Sequence, residues 1–267
     1  MPATALMNVM IAAARKAGRS LARDFGEVEN LQVSVKGPGN FVSAADHKAE
    51  EIIFKELSKA RPGYSFLMEE RGEVVGDDRT HRWIVDPLDG TTNFLHGLPL
   101  FAISIGLERE GQLVAGVVYN PVFDEIFTAE KGKGAYLNDR RRLRVAARKQ
   151  LSDALVTTGI PHIGRAGHAR LFEEIKAVTS EVAGVRRTGS AALDLAYTAA
   201  GRFDAYWEHG IKPWDMAAGI VLVREAGGAV CDLSGGANMF DKNEILATNT
   251  TLQKPLLEAV ARPSKRV

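Results

Sequence analysis

Apolar positions recur at helical spacing in two early stretches, residues 4–25 and 43–60, which predicts two amphipathic helices. The first ends near Gly26, and the second is introduced by Ser43-Ala44-Ala45-Asp46, the pattern of a capping box. Short apolar runs follow at Phe66-Leu67 and Trp83-Ile84-Val85, each ending in acids. The chain then turns to FAISIGLE, LVAGVVY, EIFTAE and GAYLN, separated by Glu-Gly-Gln, Asn-Pro and Lys-Gly-Lys-Gly, which read as an antiparallel meander. From Leu151 strands and helices alternate: ALVTTGI, HARLFEEIKAVTSEV, Val185 to Thr188, AALDLAYTAAG, FDAYWE, the helix after Trp214, EILATN and a final helix. Alternation implies a more parallel sheet with covered faces, so the fold class is α+β in the first half and α/β in the second. A seam near residue 145 divides an N-terminal subdomain, 1–145, from a C-terminal one, 146–267, within one compact body. There is no internal repeat and no low-complexity linker.

Composition adds bounds. With 267 residues, 45% hydrophobic and 25% charged, the chain can bury a sizeable core, and the composition implies no disorder. A formal net charge of +1 gives no footprint for direct nucleic-acid binding. Arg140-Arg141-Arg142 and Arg186-Arg187 are read as solvated turn or strand-end charges. The single cysteine, Cys231, forms no internal disulfide, suits a reducing cytoplasm and is expected as a small buried hydrophobe. The six histidines lack ligand spacing and are read as structural. Near the N-terminus, Arg15, Lys16, Arg19 and Arg23 follow the apolar residues, the wrong order for an export signal, and no run of about 18 apolar residues exists to span a membrane.

The chemistry concentrates in Trp83 to Phe94, WIVDPLDGTTNF. Asp86 stands at the end of an apolar strand, and Pro87 is expected to make Asp86-Pro87-Leu88-Asp89 a stiff turn on which two carboxylates converge. Such a pair is best neutralised by a divalent cation. Gly90, Thr91 and Thr92 offer backbone N–H groups, a hydroxyl and a helix start, a natural place for an anion. Taken alone, DPLDG is also a plain strand-to-helix turn. Glu69 stands at a second strand end, Asp215 opens the helix MAAGIVLVREA as a first-turn acid, and Asp46 caps a helix.

Glu69-Glu70, then DPLDGTTNF, then Trp214-Asp215 followed after eleven residues by Gly227-Gly228 resembles the inositol monophosphatase family of lithium-sensitive, magnesium-dependent phosphatases. Lys36, Asp46, Gly189-Ser190-Ala191 and Glu208 fall in the family's order, so the likeness runs along nearly the whole chain. It is most similar to bacterial members of the extragenic-suppressor type. The resemblance implies a layered α/β/α/β/α sandwich, a homodimer, and two Mg²⁺ ions, with a third, weaker one near Glu69. Glu69, Asp86 and the Leu88 carbonyl would hold the first ion; Asp86, Asp89 and Asp215 the second. Thr91 backed by Asp46, or Glu69, would activate water. Gly90 and Thr91 would bind phosphate, and Gly189, Ser190, Ala191, Glu208 and Asp215 would meet the rest of the substrate. Glu208 has a rival reading as a surface ion-pair partner of His209 or Lys212. The chain departs from the family pattern at Asn40, where relatives often carry an acid, and at Lys212, where animal members carry histidine. The implied reaction is hydrolysis of inositol-1-phosphate or a similar small polyol phosphate. Related alternatives are histidinol phosphate, fructose bisphosphate and 3′-phosphonucleotides, or a regulatory role with the transcription machinery.

Overall fold

The computed structural model describes residues 3–27, 33–37, 40–164 and 166–262. Helix α1 (Ala5–Phe25) is followed by the antiparallel pair β1 (Val33–Gly37) and β2 (Asn40–Ser43), then α2 (Ala44–Ala60). Next come β3 (Tyr64–Met68), β4 (Gly72–Val74), β5 (Asp78–Asp89), the short helix α3 (Thr91–Leu95), β6 (Ala102–Arg109), β7 (Gln112–Asn120), β8 (Glu125–Glu130), β9 (Gly134–Leu137) and β10 (Arg141–Arg142). The second half holds β11 (Leu155–Thr158), α4 (His168–Thr179), β12 (Gly184–Arg186), α5 (Ala191–Ala199), β13 (Ala205–His209), α6 (Pro213–Glu225), β14 (Ala229–Cys231), α7 (Met239–Lys242), β15 (Glu244–Thr248) and α8 (Gln253–Ala261).

The strands form an eight-stranded sheet, β10-β9-β8-β7-β6-β5-β3-β4, and a five-stranded sheet, β12-β11-β13-β15-β14. The meander from β6 to β9 is antiparallel as the turns predict, with β3 and β5 parallel beside it. In the second sheet β11 runs parallel to β12 and β13, while β15 is antiparallel to β13 and β14. Helices α1 and α2 cover one face of the large sheet, α5 and α6 lie between the sheets, and α4 and α8 close the far side. This is the five-layer sandwich the resemblance implies.

Both faces of the large sheet are covered, which explains its continuous apolar strands. Val117 joins the core under α1 and α2, and its neighbour Val118 joins the core under α5 and α6. Gly106 and Gly116 are cross-strand partners beneath α6. A Cβ at Gly116 would stand 2.5 Å from the Ala218 carbonyl oxygen, so the glycine lets the helix backbone settle directly on the sheet. That close approach brings the N-terminal turn of α6, with Asp215, to the end of β5. No helix among the described residues is long and apolar enough to cross a membrane. Cys231 is buried, as expected.

Candidate active site

The turn expected at Asp86-Pro87-Leu88-Asp89 is instead a continuation of β5 with a bulge. Asp86 pairs with Ser104 and Asp89 with Ala102, so three steps on β5 match two on β6. Proline cannot donate to the ladder, and the strand absorbs it by inserting one residue. The consequence is chemical. In a regular strand, residues three apart point to opposite faces; the extra residue places Asp86 and Asp89 on the same face. Val85 and Leu88, by the same parity, both enter the core under α1 and α2.

Two hydrogen bonds set the other acids against this face. Ser104 Oγ, beside Asp86 in the ladder, donates to the Trp214 carbonyl at 3.0 Å and ties β6 to the start of α6. There Asp215 accepts from the Lys212 backbone N–H at 2.6 Å as a first-turn capping acid. Asp89 accepts from Ser190 Oγ at 2.5 Å and from the Ala192 N–H at 2.7 Å, which joins β5 to the first turn of α5. Carboxylate oxygens of Asp86, Asp89 and Asp215 thus lie within 4.8 Å of one another. Glu69 stands apart from this triad on the cleft wall, directly after β3, with its N–H held by the Val85 carbonyl at 3.2 Å.

The triad is electrostatically uncomfortable by itself. Burial, and then the charges of Glu69, Asp89 and Asp215, push the Asp86 carboxyl well above the ordinary carboxylate range. Burial pushes Asp89 up to about 6, against the pull of Ser190, the N–H groups of Ala192 and Ala191 and the Arg187 guanidinium. Burial and then Asp89 raise Asp215. A cation held by all three relieves both the burial cost and the mutual repulsion. The donors are all oxygen, a set able to hold a divalent cation.

Next to the triad, Gly90 adopts φ 97° and would clash with the Leu100 carbonyl at 2.9 Å if it carried a Cβ, so the chain turns tightly into α3. Thr91 Oγ1 lies 3.1 Å from both Asp46 Oδ1 and the Leu88 carbonyl. Asp46 is fully buried and also accepts from the Ser43 N–H and hydroxyl, so its capping role and its contact with Thr91 coexist. Burial raises its pKa despite these donors. Asn93, from the same motif, donates to the Leu100 and Thr188 carbonyls at 2.6 and 2.8 Å and sews this wall to the Gly189 turn.

The opposite wall carries Gly189, Ser190, Ala191 and Glu208 as expected. Ser190 is buried; its hydroxyl caps α5 and is committed to Asp89. Glu208 accepts from Tyr206 Oη at 2.6 Å and faces the cleft, while His209 is engaged by Glu174 and Glu244. Lys212 is exposed and meets the site through its backbone N–H. Lys36 and Asn40 fall on β1 and β2, where only the backbone is described, so the third-ion expectation lies outside the described side chains.

Several lining residues were not anticipated. Arg187, read as a solvated charge, is exposed but also borders the cleft, and His162, read as structural, lines it with Gly159, Ile160 and Pro161. Asp194, fully buried, accepts from Thr157 and Thr188 hydroxyls at 3.0 and 2.8 Å behind this wall. The Arg187 signal was its position two residues before the Gly-Ser-Ala turn; His162 and Asp194 carried none.

A profile of the inositol monophosphatase family matches residues 3–266. The chain belongs to the inositol monophosphatase family. It is 64% identical over 263 residues to an inositol-1-monophosphatase of Mesorhizobium japonicum, covering 98% of both chains. It is 42% identical over 252 residues to Nus factor SuhB of Escherichia coli K12, covering 94% of each. The crystal structure of extragenic suppressor protein suhB from Bartonella henselae superposes with a TM-score of 0.94 at 60% identity, over 96% of this chain and 98% of that one. The family membership agrees with the motifs from which the resemblance was drawn, and the acidic triad is a group able to hold metal.

Proposed function

We propose that the protein is a Mg²⁺-dependent phosphomonoesterase that releases inorganic phosphate from inositol-1-phosphate, or a closely similar polyol phosphate, by direct attack of water. The observation that carries this reading is the convergence of Asp86, Asp89 and Asp215 beside the Gly90-Thr91 turn. In this reading Glu69, Asp86 and the Leu88 carbonyl would hold one ion, and Asp86, Asp89 and Asp215 would hold a second. When bound, such ions would supply positive charge to the phosphate and the leaving oxygen. The backbone N–H groups of Gly90 and Thr91 hold the phosphate. Thr91, donating its proton to Asp46, keeps its lone pairs for the attacking water and so orients it; Glu69 is the other base within the cleft. Glu208, Gly189, Ala191 and the Ser190 backbone face the departing alcohol, where the carboxylate accepts hydroxyl protons of a polyol.

The name carried by the Mesorhizobium japonicum relative supports the inositol-1-phosphate assignment. Phosphate release is to be measured across inositol-1-phosphate, histidinol phosphate, fructose bisphosphate and a 3′-phosphonucleotide, with and without Mg²⁺ and lithium. Inositol-1-phosphate is expected to be turned over fastest, only with Mg²⁺, and to be inhibited by lithium. Absence of turnover on all four would remove the reading.

A second role in transcription is favoured by one observation, the relative named Nus factor SuhB. It predicts that an Asp86→Asn protein still retrieves transcription components from extract. A homodimer is supported by exposed Leu98, Val122 and Phe123 on adjacent turns, where Asn120 binds the Pro99 carbonyl and the Val122 and Phe123 N–H groups. Light scattering of Phe123→Ser against the native chain tests it.

A further inference from the structure

Helix α2 buries an unusual stripe. Its buried positions are Ala45, Asp46, Ala49, Glu50, Ile53 and Leu57, so two acids one turn apart are buried with the core residues. Neither is solvated: Asp46 is 0% and Glu50 3% exposed. Buried carboxylates are stable only where donors meet them. For Asp46 the donors are Ser43 and Thr91. For Glu50 they are consecutive backbone N–H groups of Glu70 and Arg71, at 2.9 and 3.3 Å on Oε2, with the Arg71 guanidinium 3.8 Å from Oε1. Glu69 therefore stands in a segment pinned three times in succession. Its own N–H is held by Val85 of β5, and the next two are held by Glu50 of α2.

We infer that Glu50 is a positioning residue for the metal centre: by clamping the Glu70 and Arg71 amides it fixes where Glu69 stands, while Asp46 one turn earlier fixes Thr91 on the same wall. The inference rests on the metal-site reading given above. The physical argument is that a ligand on a loop binds well only if the loop's entropy has been removed in advance. Two charge-assisted bonds to adjacent amides do this, because both must break before Glu69 can swing away. The neighbouring Glu51 is the natural control. Its side chain is 42% exposed and bridges the Lys55 and Arg71 side chains on the helix surface, whereas Glu50 meets the Glu70 and Arg71 amides.

The test is Mg²⁺ binding by titration calorimetry, with unfolding midpoints from circular dichroism. Glu50→Ala should weaken Mg²⁺ binding about tenfold or more, the usual effect of removing a group that orients a ligand. Glu50→Gln, which keeps an acceptor but loses the charge, should weaken it about threefold, and Glu51→Gln should leave it unchanged. In a Glu69→Gln background the Glu50→Ala effect should vanish, because its route runs through Glu69. An equal loss in that background, or native-like binding by Glu50→Ala with only a lowered midpoint, would overturn the inference and leave a purely structural role. If Glu50→Ala does not fold, Glu50→Gln decides: binding indistinguishable from native would overturn it. No Mg²⁺ binding by the native chain would instead remove the metal reading, and this inference with it.

Discussion

The two walls of the cleft are built by different means. The wall carrying Glu69, Asp86, Asp89 and Thr91 consists of strand ends and a bulge, and its atoms are placed by backbone ladders and by buried acids of α2. The wall carrying Glu208, Arg187, His162 and Asp194 comes from the ends of β12 and β13, the segment after β11 and the first turn of α5, and side chain partners hold it. The first is specified residue by residue along a short stretch of chain. The second exists only after the five-stranded sheet has formed. The difference matches the division of labour in the proposed reaction, since the phosphate end is the same for every substrate and the alcohol end is not.

The comparison breaks most sharply at Asp86. Asp86→Asn removes the charge shared by the triad, and phosphate release should fall on the order of 10³-fold, because several kcal/mol of transition-state stabilisation is lost with metal binding. The same change should raise the unfolding midpoint of the metal-free protein, since a buried charge repelled by Glu69, Asp89 and Asp215 has gone. The midpoint shift on adding Mg²⁺ should disappear. Calorimetric melts with Mg²⁺ and with chelator check both points, and a lowered metal-free midpoint would contradict the electrostatic account.

The second wall should respond in specificity. A Cβ at Gly159 would lie 2.0 Å from the Glu208 carboxylate carbon, so Gly159→Ala must displace that group. Tyr206→Phe removes the 2.6 Å donor that orients it, in a residue with no exposure. An orienting bond of about 1–3 kcal/mol predicts KM for inositol-1-phosphate raised roughly tenfold in Tyr206→Phe, and more in Gly159→Ala. The KM for p-nitrophenyl phosphate, whose leaving group has no hydroxyls to read, should be unchanged. Equal losses on both substrates would mean that Glu208 serves the phosphate end as well.

These walls also differ in how far the amino-acid sequence announced them. Glu69, Asp86, Asp89 and Asp215 were legible because each has a local signature: an acid after an apolar run, or an acid in the first turn of a helix. The layers were legible because the two-sided burial of β6, β7 and β8 writes unbroken apolar runs. The bulge was not, since Pro87 signals a turn as readily as an inserted strand residue, and only pairing with Ser104 and Ala102 decides between them. Nor was Glu50, which sits beside Glu51 in a helix and looks equally solvated until the Glu70 and Arg71 amides arrive. His162 and Asp194 depend on which strand becomes whose neighbour, information carried by no short window of residues.

A smaller effect tests the joint between the walls. Ser104→Ala deletes the bond to the Trp214 carbonyl without touching a proposed ligand. Stability should fall by about 1 kcal/mol, the usual net value of such a bond. Mg²⁺ affinity should fall a few-fold, because Asp215 is placed relative to Asp86 through this contact. Stability loss with unaltered affinity would show that the glycine-seated helix α6 suffices to register the two acids.

The mildest test concerns the outer support of the second wall. Glu174 is 1% exposed, with His209 Nε2 at 3.0 Å, Arg170 Nε at 2.8 Å and Trp207 Nε1 at 3.3 Å. Burial by itself would raise its pKa, but His209 and Arg170 outweigh burial and hold it below the ordinary value of 4.5. An acid with a lowered folded pKa contributes stability that is complete above the unfolded value and is lost as pH falls through the folded one. His209→Gln should therefore cost about 1 kcal/mol at pH 7, a modest figure because His209 is itself partly solvated. The cost should shrink as pH drops below 4.5 and vanish once pH has fallen through the lowered folded pKa, where the native carboxylate also takes up its proton. Urea unfolding of both proteins at neutral and acid pH measures this. A cost independent of pH would assign His209 a packing role and leave Glu174 to Arg170 and Trp207.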